Sequence, residues 1–159
     1  MAVPYPLFQP GIHECSIEEI QRVCVLERPN NARRIELFDK ACLYFNELAQ
    51  LGPVFQVWLD GSFVTTKEEP GDVDVLVWFD SVAMQRLDQT AQIQAWRLLD
   101  IKNHDWLRQR YDIDLYSAPA DDPQVRMYWR GCFGFIKETE EPKGIPQLTI
   151  APHGTDSLA

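Results

Sequence analysis

Leu59-Asp60-Gly61-Ser62-Phe63, a short spacer, then Asp72-Val73-Asp74-Val75-Leu76-Val77-Trp78-Phe79 is the stretch that decides the fold. Val54 to Leu59 reads as one strand by its β-branched and aromatic content. Asp72 to Phe79 reads as a second strand, strongly apolar after its start and therefore central in a sheet. Residues two apart on a strand face the same way, so Asp72 and Asp74 present two carboxylates side by side while Val73, Val75 and Val77 point to the other face. Two such carboxylates repel each other unless a cation sits between them, and oxygen-only ligands suit Mg²⁺ or Mn²⁺ rather than zinc. Gly61-Ser62 follows a strand and opens a short helix, where free N–H groups and a missing Cβ make a phosphate cradle. Gly-Ser alone is an ordinary turn and Asp-x-Asp alone is common. Together, at this spacing, they are what metal-assisted phosphoryl or nucleotidyl transfer needs.

Around this centre the chain reads as a single domain over its 159 residues, with residues 1–15 as an extended arm and 151–159 as a flexible tail. With 45% apolar and 25% charged residues it has an ordinary globular composition. Charges or prolines interrupt every hydrophobic stretch, which excludes a membrane span, and the N-terminus lacks a signal-peptide pattern. A cytoplasmic location is the expectation. The balance of 15 Lys+Arg against 24 Asp+Glu gives a net charge of −9, which disfavours non-specific nucleic-acid binding. Cys15, Cys24, Cys42 and Cys132 form no C-x-x-C pair, and we read them as reduced, mostly buried thiols.

Ser16-Ile17-Glu18-Glu19 is a capping box that opens a short helix to about Val25. Either Asn30 or Asn31 is placed to cap the next one. Ile35, Phe38, Cys42, Phe45, Leu48 and Ala49 form the stripe of an amphipathic helix over 32–51, ended by Gly52-Pro53. A broken helical stretch follows over about 81–104. Tyr111 to Tyr116 reads as a third strand, Asp122-Pro123 opens a helix to about Gly131, and Gly144 to Ile150 reads as a short edge strand.

The segment Gly61-Ser62…Asp72-Val73-Asp74-Val75 resembles the signature of polymerase-β-type nucleotidyltransferases. The resemblance spans roughly residues 54–116. It implies an α/β (α+β) nucleotidyltransferase fold, a mixed twisted sheet flanked by helices, and two divalent metals, Mg²⁺ or Mn²⁺. It also implies that Ser62 and its loop contact the β- and γ-phosphates of a nucleoside triphosphate. A third carboxylate comes from a later neighbouring strand in such proteins. Asp114, flanked by Ile113 and Leu115, fits that place, and Asp112 is its competitor, since both face one side by period-2 logic. Asp72 and Asp74 would then hold both metals, and Asp114 would bind the catalytic one and help take the proton of the acceptor hydroxyl. Pro10-Gly11-Ile12-His13, Leu59–Lys67 with Pro70–Asp74, and Pro142-Lys143-Gly144-Ile145 also resemble a small bacterial family of nucleotidyltransferase-like proteins.

Further candidates carry less specific signals. Lys67, on the loop between the motif halves, is within reach of a triphosphate or is simply a solvated lysine beside Glu68 and Glu69. Arg126 and Arg130 lie one helical turn apart and either clamp a triphosphate or acceptor phosphate or pair with local acids. Tyr128 and Trp129 are core aromatics or stack on a base. Lys102, Arg108 and Arg110 form the densest basic stretch and read as a solvated helix end rather than a nucleic-acid contact. His13, after Pro10-Gly11, either folds back to the site or, as the favoured reading, makes a structural hydrogen bond, while His104 and His153 carry no assignment.

The expected function is transfer of a nucleoside monophosphate from a triphosphate onto a hydroxyl of a partner protein or a tRNA. The minimal size points to a toxin–antitoxin or defence module with a partner encoded nearby. A catalytically silent, antitoxin-like regulatory subunit on the same fold is the alternative. A metal-dependent phosphohydrolase ranks last, because extra histidines are missing.

Overall fold

In a computed structural model that describes residues 4–152, five strands form one mixed sheet. Residues 153–159, which hold His153 and most of the expected tail, lie outside the described residues. The strands are β1 (Gly11–Glu14), β2 (Phe55–Asp60), β3 (Val73–Phe79), β4 (Ile113–Pro119) and β5 (Gly144–Ile150), in the order β1-β5-β2-β3-β4. β2 runs antiparallel to β3 and to β5, while β3 and β4 are parallel, as are β1 and β5. Two expectations change here. The final strand is not at an edge but lies between β1 and β2, and the N-terminal arm supplies the true edge, β1.

The two faces of the sheet differ. Val57, Leu59, Val73, Val75, Val77, Ile113, Leu115, Leu148 and Ile150 belong to the larger core. Covering it are α1 (Ile17–Gln21) with its following π turn, α2 (Ala32–Ala49), α3 (Ser81–Gln85), α4 (Gln89–Leu99) and α5 (His104–Tyr111). The opposite face carries Trp58, Leu76, Trp78, Ala118 and Ile145, which pack with Phe133 of α6 (Pro123–Phe133). Strand alternation sets this division and puts Asp60, Asp74 and Asp114 on the same face as Trp58, Leu76 and Tyr116. One helix covers that face; the site is built on it.

Local sequence explains the helix starts. Ser16 and Glu19 close the capping box, and Asp80, Asp88 and Asp122 each accept backbone N–H bonds at an N-cap. Asn31 stands at the cap of α2 but turns its amide away, donating to the Val25 carbonyl. The buried stripe of α2 runs through Arg34, Leu37, Phe38, Ala41, Tyr44, Phe45, Leu48 and Ala49, and Ile35 faces solvent instead. Of the thiols, Cys15 and Cys24 are buried, Cys42 is half-buried, and Cys132 is exposed, contrary to the burial expected of it; all four are unpaired. Among the described residues no helix is long and apolar enough to cross a membrane.

Candidate metal centre

Three adjacent strands bring the carboxylates together. Asp60 on β2 lies opposite Asp74 on β3, and Asp74 lies beside Asp114 on β4, so one row across the sheet reads Asp60-Asp74-Asp114. Asp72, one residue before β3, completes the group. One carboxylate oxygen each from Asp72, Asp74 and Asp114 lies within 4.8 Å of the others.

Crowding perturbs the central member. Burial, followed by the charges of Asp72, Asp114 and Asp60, pushes the Asp74 carboxyl up to about 7, against some relief from Lys143. Neutral pH therefore finds this group poised between its two forms. A divalent cation would settle it as the carboxylate, and an all-oxygen donor set of this size is what Mg²⁺ or Mn²⁺ takes.

Asp112 is not part of the group. It ends α5 in the left-handed region at φ 52°, so strand alternation does not reach it. Its carboxylate accepts from Lys40 Nζ at 2.9 Å and Arg33 Nη1 at 3.2 Å, and these cations hold its pKa below the usual carboxylate range against a counteracting desolvation. Asp114 occupies the place by geometry.

Gly61 positions the turn that follows β2. Its φ of 78° and ψ of −164° belong to glycine, and a β-carbon there would stand 2.9 Å from the Asp74 Cγ. A 3₁₀ turn follows from Ser62 to Val64, with Ser62 half-exposed at its start. The loop is held from below by Arg34, which is 1% exposed. Its guanidinium donates to the carbonyls of Cys24, Ser62, Phe63, Thr65 and Lys67 at 2.6–3.4 Å. No carboxylate is among these partners; five carbonyl dipoles take the place of one.

α5 contributes two groups that the sequence did not single out for this site. His104 and Arg108, one turn apart, point to the same carboxylates: His104 Nε2 contacts Asp114 Oδ1, and Arg108 Nη2 lies 2.8 Å from Asp72 Oδ2. Tyr116 donates to Asp114 Oδ2 at 3.3 Å, and the hydrogen bond with Asp114 is the first cause of a raised His104 pKa. Lys143 is the third addition. Buried at 7% exposure, its Nζ lies 2.5 Å from Asp60 Oδ1.

The remaining sequence candidates fall in different places. Lys67 is exposed, joined to the site by its backbone carbonyl on Arg34. Arg126 lies over the indoles of Trp58 and Trp78, at 5.0 and 5.7 Å, on the carboxylate face but nearer the sheet's middle. Arg130 is exposed further along α6. Trp129 packs on Tyr116 and Phe133 as a core aromatic, and Tyr128 is exposed. His13 bonds the Gln9 carbonyl, the structural role expected of it. Lys102 and Arg110 are exposed, Arg110 beside Tyr111 and Glu47 on the far side of the sheet from the carboxylates.

No curated protein and no solved structure is a match for the chain. A family of unknown function (DUF6932) matches residues 3–149, nearly its whole length. The chain belongs to that family.

Proposed function

We propose that the chain is a metal-dependent nucleotidyltransferase of the polymerase-β type, moving a nucleoside monophosphate from a nucleoside triphosphate onto a hydroxyl of a partner protein or a tRNA. The observation that carries this reading is the convergence of Asp72, Asp74 and Asp114 beside the Gly61 turn. The five-stranded mixed sheet with helices on both faces agrees with the nucleotidyltransferase fold.

Asp72, Asp74 and Asp114 would hold Mg²⁺ or Mn²⁺, which supplies charge neutralisation at the α-phosphate and at the attacking oxygen. Gly61 lets the backbone approach the phosphates, and Ser62 offers its hydroxyl and N–H groups to the β- and γ-phosphates. Lys67 reaches the same end of the nucleotide from the solvent side. Asp114, aimed by His104 and Tyr116, takes the proton of the acceptor hydroxyl. The hydroxyl oxygen attacks the α-phosphorus in line, the α–β bridging bond breaks, and pyrophosphate leaves. Arg126 and Arg130 of α6 flank the same face as phosphate-directed cations. The net charge of −9 favours a protein acceptor over RNA. The cellular setting we propose for it is a cytoplasmic toxin–antitoxin or defence module with a partner encoded nearby.

A specific observation supports a second reading. Arg108 and His104 engage Asp72 and Asp114, as expected of a silent, antitoxin-like regulatory subunit whose carboxylates are occupied from within. One experiment separates the two. The purified protein is incubated with each α-labelled triphosphate and Mg²⁺ or Mn²⁺, offering itself, total tRNA and a lysate of its source as acceptors, beside the Asp72→Ala/Asp74→Ala variant. Label transferred by the wild type alone establishes the enzyme. A stable complex with a neighbour-encoded protein, without transfer to it, establishes the subunit.

A further inference from the structure

A cavity of about 160 Å³ is lined by Lys143, the residue that reaches Asp60, and by none of the three carboxylates. Its walls are Pro10, Gly11, Gly134, Phe135, Pro142 and Ile145, and two cations, Arg130 and Lys143, complete it. The segment that carries Lys143 is fixed at both ends of the cavity. The Lys143 N–H donates to the Gly134 carbonyl at 2.8 Å, and the Gly144 N–H donates to Phe8 at 3.0 Å. A side chain at 144 would run into Phe8 and the Gln9 carbonyl, so glycine is what lets the arm close there.

Lys143 is the unusual group. A buried ammonium has three protons to satisfy, and among the described residues its side chain has one partner, Asp60. That contact, at 2.5 Å, takes one of the three. The other two N–H donors of Lys143 have no protein partner among the described residues and are available to the cavity it lines. Its mostly apolar walls strengthen any charge interaction inside. Arg130 faces the same space from α6, and exposed Lys137 is near enough to act on the Asp60 charge. Two of the 15 basic residues of a chain with net charge −9 therefore line one opening. The volume is below the ~300 Å³ at which whole-ligand sites begin, so it suits one group of a larger molecule.

We propose that Lys143 and Arg130 form a binding pocket for a phosphate group, beside the carboxylate group and separate from it. That the phosphate belongs to a nucleotidyl-transfer substrate rests on the reading above; the pocket's affinity for phosphate does not. The phosphate comes either from the nucleotide or from the acceptor.

The test uses the full chain in EDTA, so that metal bound by the carboxylates plays no part. Pyrophosphate and a 5′-phosphorylated RNA trinucleotide are titrated separately and followed by calorimetry. The proposal expects at least one probe to bind, with affinity lowered roughly tenfold or more in Arg130→Ala. The Lys143→Met/Asp60→Asn variant, which removes both buried charges together, should lose it too. Asp72→Ala/Asp74→Ala should keep it. The tighter probe identifies the source of the phosphate. Absence of binding by both probes, wild-type affinity in Arg130→Ala, or loss of binding in Asp72→Ala/Asp74→Ala overturns the pocket. If pyrophosphate binds as expected while no triphosphate is ever turned over, the pocket stands and the enzymatic reading falls.

Discussion

Gly61 and Asp74 face each other across the β2–β3 ladder so closely that a β-carbon on the first would stand 2.9 Å from the carboxyl carbon of the second. The turn and the central carboxylate are packed as one unit, so no side chain can be added at 61 while Asp74 keeps its place.

Gly61→Ala tests this directly. The new methyl meets both an unfavourable φ of 78° and the Asp74 carboxylate, at a cost of about 1–3 kcal/mol for the backbone conformation alone. Urea denaturation should show that loss, and Mn²⁺ affinity should fall with it because Asp74 is displaced. Wild-type stability and affinity together would mean that the turn does not press on the carboxylate.

Asp74 makes metal-free stability depend on pH. Its folded pKa of about 7 exceeds the ordinary value of 3.8. As pH rises through 3.8 the unfolded chain releases the proton while the folded protein keeps it, so stability falls until pH passes about 7. The difference is worth at most roughly 4–5 kcal/mol at ~1.4 kcal/mol per pKa unit. In EDTA, Asp74→Asn should melt well above wild type at pH 8 and close to it below pH 3.8. Mg²⁺ should narrow the gap at pH 8 by stabilising the wild type more. Parallel pH–melting curves for the two proteins would count against the crowding of the carboxylates.

Asp112 and Asp114 should separate cleanly. Asparagine tolerates the left-handed conformation of position 112, and the ion pairs lost there are partly exposed, worth about 1 kcal/mol or less. Asp112→Asn should therefore keep Mn²⁺ binding. Asp114→Asn should weaken it severely while leaving the fold intact, read by calorimetry and circular dichroism. Equal effects from the two would put Asp112 back in contention.

Arg34→Lys should be far from conservative. Five carbonyls accept from the guanidinium, whereas an ammonium has three protons. Leaving buried carbonyls unpaired costs roughly 3 kcal/mol or more in total, and the Ser62–Lys67 loop should become the first segment to exchange its amide hydrogens. A variant as stable and as protected as wild type would show that the loop holds its own shape.

Much of this site is written in short stretches of sequence. Asp72, Asp74, Gly61 and Ser62 are legible because strand alternation and a turn glycine act over a few residues. Asp114 needed its neighbours Ile113 and Leu115 to mark it as a strand residue, and Asp112 misled because the helix before it ends later than the apolar pattern implies. Groups delivered from a distance are another matter. Lys143 meets Asp60 only because β5 inserts beside β2, and nothing in the residues around Gly144 distinguishes an inner strand from an edge. Arg34 sits on the buried face of α2, in line with Leu37, Phe38 and Ala41. A charged residue in that register was the available signal, obscured by reading Ile35 into the stripe. His104 and Arg108 show helical spacing, but their direction depends on how α5 lands beside β4.

The insertion of β5 between β1 and β2 also sets an order of assembly. Trp58 pairs with Gln147 and Gly11 with Gly144, so the middle of the sheet is filled by a segment made after all its neighbours. During synthesis the β2-β3-β4 half, with Asp72, Asp74 and Asp114, is complete in sequence before β5 leaves the ribosome. Until then β2 exposes an unpaired edge, β1 has no partner, and Asp60 has no lysine. Such long-range closure is slow and leaves a nascent chain open to mispairing. Along the chain the carboxylates therefore come first and their basic counterpart follows, so Asp60 gains its buried partner only when β5 docks against β2.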